Sequence, residues 1–230
     1  FPPLAERLAT AGFTAVRFNL SGSGVDDAGE FAFPERFARA TFSGDLRDIA
    51  RVVEAVASGA LDFPSPTSIG FLGHSRGGGL GVLAAAAEPR IGALVTWAAI
   101  SDVHRHSPEE VAAWRARGHI DIVNSRTGQV LPILTDVLDD VLRHGATLLD
   151  IRAAAARLRA PWLIVHGEAD ATVPVAEASA LHAAGGATAQ LMRVPGAGHT
   201  FEAVHPWQGP TPAFEAATDA SVAWFGRHLR

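Results

Sequence analysis

Hydrophobic and polar positions along the chain follow two alternating periods. Residues 13–20, Phe-Thr-Ala-Val-Arg-Phe-Asn-Leu, alternate and are rich in β-formers, while 67–73, 91–99, 161–166 and 189–194 are short apolar runs bounded by turn residues. These segments predict strands. Residues 4–11, 44–58, 75–87, 175–184 and 213–229 instead carry helical spacing. Alternation of the two predicts an α/β fold, a mostly parallel sheet flanked by helices, in a single domain over residues 1–230. The interval 101–160 is far longer than a crossover requires and predicts an inserted cap, with a helix at 109–117 and a polar-turned hairpin at 119–133.

The second of these strands runs into Gly73-His74-Ser75-Arg76-Gly77, a G-x-S-x-G pattern at a strand-to-helix junction. A serine on so sharp a turn is strained, and the flanking glycines are expected to be required because side chains there would collide with strand and helix. Two plainer readings compete: a helix-capping serine and a phosphate cradle. The cradle lacks support, since no Lys-Ser/Thr follows Gly77-Gly78-Gly79 and Ser21-Gly22-Ser23-Gly24 lacks the third glycine of a dinucleotide site.

A serine nucleophile needs a base, and the base needs a carboxylate to orient it. Downstream, Asp170 follows one predicted strand in His166-Gly-Glu-Ala-Asp170, and His199 follows the next in Gly196-Ala-Gly-His199. Carboxyl ends of parallel strands are where ligand sites form. Asp170 could instead cap a helix, with Glu168 or Asp102 as the carboxylate, and His199 could be an ordinary loop histidine. His104-Arg-His106 has metal-like spacing without a clear third ligand and reads as polar cap surface. His166 is expected to support the acid loop. His74, beside the serine, reads as a packing residue that could also line a substrate pocket, as could Trp114 in the cap; Trp162 and Trp207 read as packing.

Composition narrows the chemistry. The net charge of -5 gives no basic footprint for nucleic acid or an anionic membrane, and no apolar run is long enough to span a bilayer. With no Cys, no Lys and no Tyr, cysteine nucleophiles, thiolate metal sites, a P-loop lysine and Schiff-base chemistry are excluded. No cofactor or metal is expected. Oligomeric state is open, and so is the compartment, with the cytoplasm favoured.

Gly73-His-Ser-Arg-Gly77, His166-Gly-x-x-Asp170 with Val173-Pro174, and Gly196-x-Gly-His199 together resemble the α/β-hydrolase superfamily, from Leu4 to the carboxyl terminus. The resemblance implies Ser75 as nucleophile, Asp170 as acid, His199 as base and the Arg76 backbone N–H as one oxyanion donor. The elbow and short cap look like feruloyl-esterase, dienelactone-hydrolase and prolyl-oligopeptidase-type catalytic domains. That implies a serine esterase acting on a small or medium carboxylic ester, a small-molecule substrate. A thioesterase or serine peptidase with the same triad, and a non-catalytic hydrolase-like binding protein, are the alternatives. The superfamily also has a strand and a His-Gly loop, source of the second oxyanion donor, ahead of the helix that here begins at Pro2. Without that strand two rows of backbone groups would lack partners, so residues before Phe1, or another chain, are expected to complete the sheet.

Overall fold

In the computed structural model, which describes residues 2–123 and 128–229, the apolar runs pair into strands and the periodic segments coil between them. In chain order the elements are α1 (Pro2–Thr10), α2 (Pro34–Ala38), α3 (Phe42–Ala57), β1 (Ile69–His74), α4 (Arg76–Ala87), β2 (Ile91–Trp97), α5 (Pro108–Arg117), β3 (His119–Val123) and β4 (Val130–Leu134). They continue with α6 (Asp136–His144), α7 (Ile151–Ala155), β5 (Trp162–Gly167), α8 (Val175–Gly185), β6 (Ala189–Val194) and α9 (Pro212–His228). The chain forms two compact units: Phe1–Arg17, Val53–Ser101 and Ile151–Arg230 in one, Phe18–Val52 and Asp102–Asp150 in the other.

The first unit is built on a four-stranded sheet, order β1-β2-β5-β6, with every pairing parallel. Parallel strands are covered on both faces, which is why β2 and β5 read as nearly continuous apolar runs. Ala93, Val95, Trp97, Leu163 and Val165 enter one core with Leu4 of α1 and Phe214, Ala217, Trp224 and Phe225 of α9. Leu94, between them in sequence, reaches the other face, where its side chain lies against Gly81 of α4. Tryptophan polarity is met inside this unit: the indole N–H of Trp97 donates to Ser221 Oγ at 2.9 Å and that of Trp162 to Thr96 Oγ1 at 3.0 Å.

The second unit holds the antiparallel pair β3-β4 with α2, α5, α6 and most of α3. Its α5 begins with a complete capping box, Ser107 and Glu110, with Pro108 in the first turn, and stops at Gly118 in the left-handed region. Asp140 of α6 accepts the Ser43 N–H at 2.9 Å, tying α6 to the start of α3.

Three features depart from the sequence reading. Residues 13–20 pair with no strand among the described residues; alternation signals an extended segment, but a strand exists only where a neighbour takes its N–H and C=O groups. The interval 101–160 is not one insertion: 102–150 forms a unit with 18–52, whereas Ile151, Ala154 and Ala155 are buried in α7, which packs on α4 beside the sheet. Helices α2, α6 and α7, each nine residues or fewer, were not anticipated. Residues 124–127 of the hairpin predicted at 119–133, and the strand expected ahead of Phe1, lie outside the described residues.

At the junction of β1 and α4, Ser75 has φ 55° and ψ -120°, its N–H donates to Trp97 O at 2.8 Å, and its carbonyl accepts from Gly78 and Gly79. A Cβ on Gly73 would lie 2.1 Å from Gly77 O, and one on Gly78 would lie 2.6 Å from Ala99 Cβ. At Gly77, by contrast, an added Cβ meets nothing within 4 Å. The expectation that both flanking glycines are sterically required therefore holds at Gly73 and is corrected at Gly77, whose backbone, not its side-chain space, makes the close approach. Gly73→Ala is expected to lower unfolding free energy by about 1–3 kcal/mol or more, while Gly77→Ala leaves it unchanged or raises it by up to about 1 kcal/mol. Urea unfolding of the two variants reads the difference, and equal effects would contradict this account.

Candidate active site

The carboxyl ends of β1, β5 and β6 deliver three side chains to one place. Asp170 sits three residues beyond β5, its side chain fully buried. Its Oδ1 accepts the N–H groups of Thr172 and Val173, each at 2.8 Å, and its Oδ2 accepts from His199 Nδ1 at 2.8 Å. A carboxylate can only accept, so Nδ1 of His199 carries a proton, and in the neutral ring Nε2 presents its lone pair. That lone pair faces Ser75 Oγ at 3.1 Å. The hydrogen-bonded line Asp170–His199–Ser75 is continuous, with Ser75 and His199 124 residues apart in sequence.

Backbone contacts hold the loops of Asp170 and His199 together. Ala169 N–H donates to Ala197 O at 2.9 Å and Glu168 N–H to Val194 O at 3.0 Å. The approach is so close that a Cβ on Gly167 would stand 2.2 Å from Ala197 O, which explains the glycine after His166. His166, fully buried, donates from Nε2 to Val173 O at 2.7 Å, with the same nitrogen 3.4 Å from Asp170 Oδ2. It braces the turn that holds Asp170, as its place at the strand end suggested.

Environment sets the charges. Burial alone would raise the Asp170 pKa, but the Val173 N–H, the His199 ring, the Thr172 N–H and the charge of His199 together hold it below the ordinary carboxylate value. Burial pushes His74 down to about 4, against the His199 carbonyl, which favours the protonated form. His74 is therefore neutral at pH 7, and its Nε2 lies 2.9 Å from that carbonyl, with the two imidazole centroids 4.6 Å apart.

The other sequence candidates lie elsewhere. Asp102 Oδ1 accepts from the N–H and ring of its neighbour His104, both at 2.8 Å, and Glu168 is exposed, so His199 takes Asp170. His106 faces Glu110, and among the described residues no group of three His, Cys, Asp or Glu side chains could hold a metal ion. Trp114 is buried within its own unit, its indole N–H donating to Ile133 O at 3.0 Å and its ring meeting His106 edge-on. That packing is what the structure shows for it. Trp162 is core, and Trp207 packs on Phe214. Sequence reasoning missed Glu202, whose Oε1 accepts the Gly198 N–H at 2.6 Å across the base loop; an acid three places after His199 was the only signal.

Residues 4–229 match the Prolyl oligopeptidase family. The chain belongs to that family. Its fold is that of the α/β-hydrolase superfamily, as the solved structures similar to it show. A monoacylglycerol lipase from Paleococcus ferrophilus is 18% identical with a TM-score of 0.72, covering 98% of this chain and 88% of that one. A structure from the study of LipS and LipT, two metagenome-derived lipolytic enzymes, is 20% identical with a TM-score of 0.73, covering 99% and 87%. The esterase domain of a Rhodothermus marinus protein is 19% identical with a TM-score of 0.63, covering 100% and 80%. Among curated proteins, none matches the sequence. These are hydrolases, esterases and lipases, and among the described residues of this family member no helix is long and apolar enough to cross a membrane.

The depressed His74 value has a measurable consequence. Between pH 6.5 and 4 the unfolded chain binds a proton at His74 that the folded protein refuses, so stability is full above 6.5 and falls as pH drops through the window. The loss approaches the order of 3 kcal/mol at full protonation. Asp170, also lowered, adds a contribution present above the unfolded carboxylate value and lost as pH falls through its folded one. Urea unfolding at stepped pH is expected to show this slope, flattened between 6.5 and 4 in His74→Gln; a wild-type stability level across that range would contradict it.

Proposed function

We propose that the protein is a serine-dependent carboxylic ester hydrolase with Ser75, His199 and Asp170 as its triad. The observation that carries this reading is the position of His199, hydrogen-bonded through Nδ1 to Asp170 and through Nε2 to Ser75 Oγ, at 2.8 and 3.1 Å. In acylation, Nε2 takes the Ser75 proton as Oγ attacks the ester carbonyl carbon. The Arg76 N–H, at the amino end of α4, donates to the forming oxyanion, aided by the helix dipole. Collapse of the tetrahedral species breaks the bond to the alkoxy oxygen, which leaves with the proton from Nε2. Water then attacks the acyl-enzyme, giving a proton to Nε2 and returning Ser75 with the carboxylic acid as product. Asp170 stays ionised throughout and stabilises the imidazolium, a role its depressed pKa suits.

Esters are favoured because several similar structures carry esterase or lipase in their descriptions. The family's own name favours a second reading, cleavage of peptide bonds by the same three residues. Hydrolysis of p-nitrophenyl acetate is expected from the wild type and at least about 10³-fold less from Ser75→Ala or Asp170→Asn. Aryl esters are expected to outrun aminoacyl anilides in kcat/KM; the reverse order would move the assignment to a peptidase, and undiminished activity in Ser75→Ala would remove the triad.

A further inference from the structure

The base loop is pinned at successive atoms. Gly198 N–H is taken by Glu202 Oε1 at 2.6 Å, His199 O lies 2.9 Å from His74 Nε2, and Phe201 O accepts from Thr211 Oγ1 at 2.6 Å. The Phe201 ring is buried against Trp97, centroids 5.2 Å apart. Glu202 and Thr211 both follow the base in the same stretch of chain, so they shape the loop without fixing where it stands relative to the nucleophile. The His74 contact differs in kind. His74 is the last residue of β1 and the immediate neighbour of Ser75, so its hydrogen bond spans 125 residues and joins the nucleophile's strand to the base's own peptide group.

Chemistry fixes the direction of this bond. The His199 carbonyl can only accept, so Nε2 of His74 carries the hydrogen and donates. The ring is half-buried, and it packs against the imidazole of His199 with centroids 4.6 Å apart. The Ser75–His199 contact, at 3.1 Å, depends on where the base loop is held. Misplacement by a fraction of an ångström there is paid in turnover, because proton transfer depends steeply on donor–acceptor geometry.

We propose that His74 is a positioning residue that tethers the carbonyl of His199 to the nucleophile's strand and thereby sets the Ser75–His199 distance. The proposal rests on the triad reading. It gives the residue before the nucleophile a task distinct from lining a substrate pocket: it acts on the base, and it contributes nothing to substrate binding.

The test compares His74→Phe, which keeps an aromatic ring against His199 without a donor, with His74→Gln, whose amide N–H reaches the place of Nε2. With p-nitrophenyl acetate, His74→Phe is expected to lose about tenfold in kcat with KM within twofold of wild type, and His74→Gln to recover most of it. A second readout is independent of turnover: amide hydrogen exchange across residues 196–202 is expected to accelerate in His74→Phe and not in His74→Gln, at unchanged protection of the β2 and β5 amides, which reports intact folding. Wild-type kcat in His74→Phe, a loss in KM alone, or equal losses in both variants would overturn the tether. If the wild type hydrolyses nothing, the triad reading fails, and exchange at 196–202 still decides whether His74 holds the loop.

Discussion

The arrangement of this protein's site depends on two loops being laced to each other by their backbones. The turn after β5 and the turn after β6 exchange N–H groups for carbonyls at Glu168–Val194 and Ala169–Ala197, and only a glycine at 167 permits the approach. Asp170 and His199 are consequences of that lacing. Two hydrogen-bonded side chains are carried by loops already fixed through peptide groups, so little side-chain entropy is left to lose when the imidazole meets the carboxylate. Parallel pairing of β5 with β6 ends both strands at the same edge, Gly167 opposite Val194, and so starts both loops from the same level.

Ser75 meets this pair under strain. Ser75 occupies a positive φ that a non-glycine residue adopts at a cost on the order of 1–3 kcal/mol. That cost is offset by the Ser75 N–H bond to Trp97 O and by the fit of Gly78 and Gly79 against Ala99 and Ile100, which seats α4 behind the turn. Trp97 is the shared support: it pairs with His74 in the sheet, accepts from Ser75 and packs on Phe201 of the base loop. Core and candidate site thus share Trp97, and the apolar face under α9 stabilises the fold and supports the loops of Ser75 and His199 together.

Much of this was legible in the sequence, for reasons that can be named. Buried parallel strands advertise themselves as Val/Ile/Leu runs, so β2, β5 and β6 were located to within about two residues, and the glycine at 73 marked a place where backbones touch. Asp170 and His199 were legible because each follows a strand end directly. What escaped has physical causes too. Residues 13–20 show an alternation that has no partner to pair with among the described residues, and pairing is a property of the neighbour. Short helices such as α7 have too few turns to display a period, and their burial is decided by what they meet, Gly79 of α4 in the case of Ile151. Gly77 looked identical to Gly73 in a pattern of letters, whereas only the coordinates show which glycine lacks room for a methyl group. His74 read as packing because nothing in a sequence reveals that a ring nitrogen ends at a carbonyl 125 positions away.

Everything in the functional account follows from a serine oxygen made nucleophilic by the imidazole beside it. Incubation of the folded protein with a fluorophosphonate, followed by peptide mapping in a mass spectrometer, reads this directly, since the reagent reacts much faster with such an oxygen than with an ordinary hydroxyl. The account predicts one phosphonyl group, on Ser75, with labelling suppressed in His199→Ala. Modification of a different residue, or an unlabelled Ser75 in a sample shown to be folded, would contradict it.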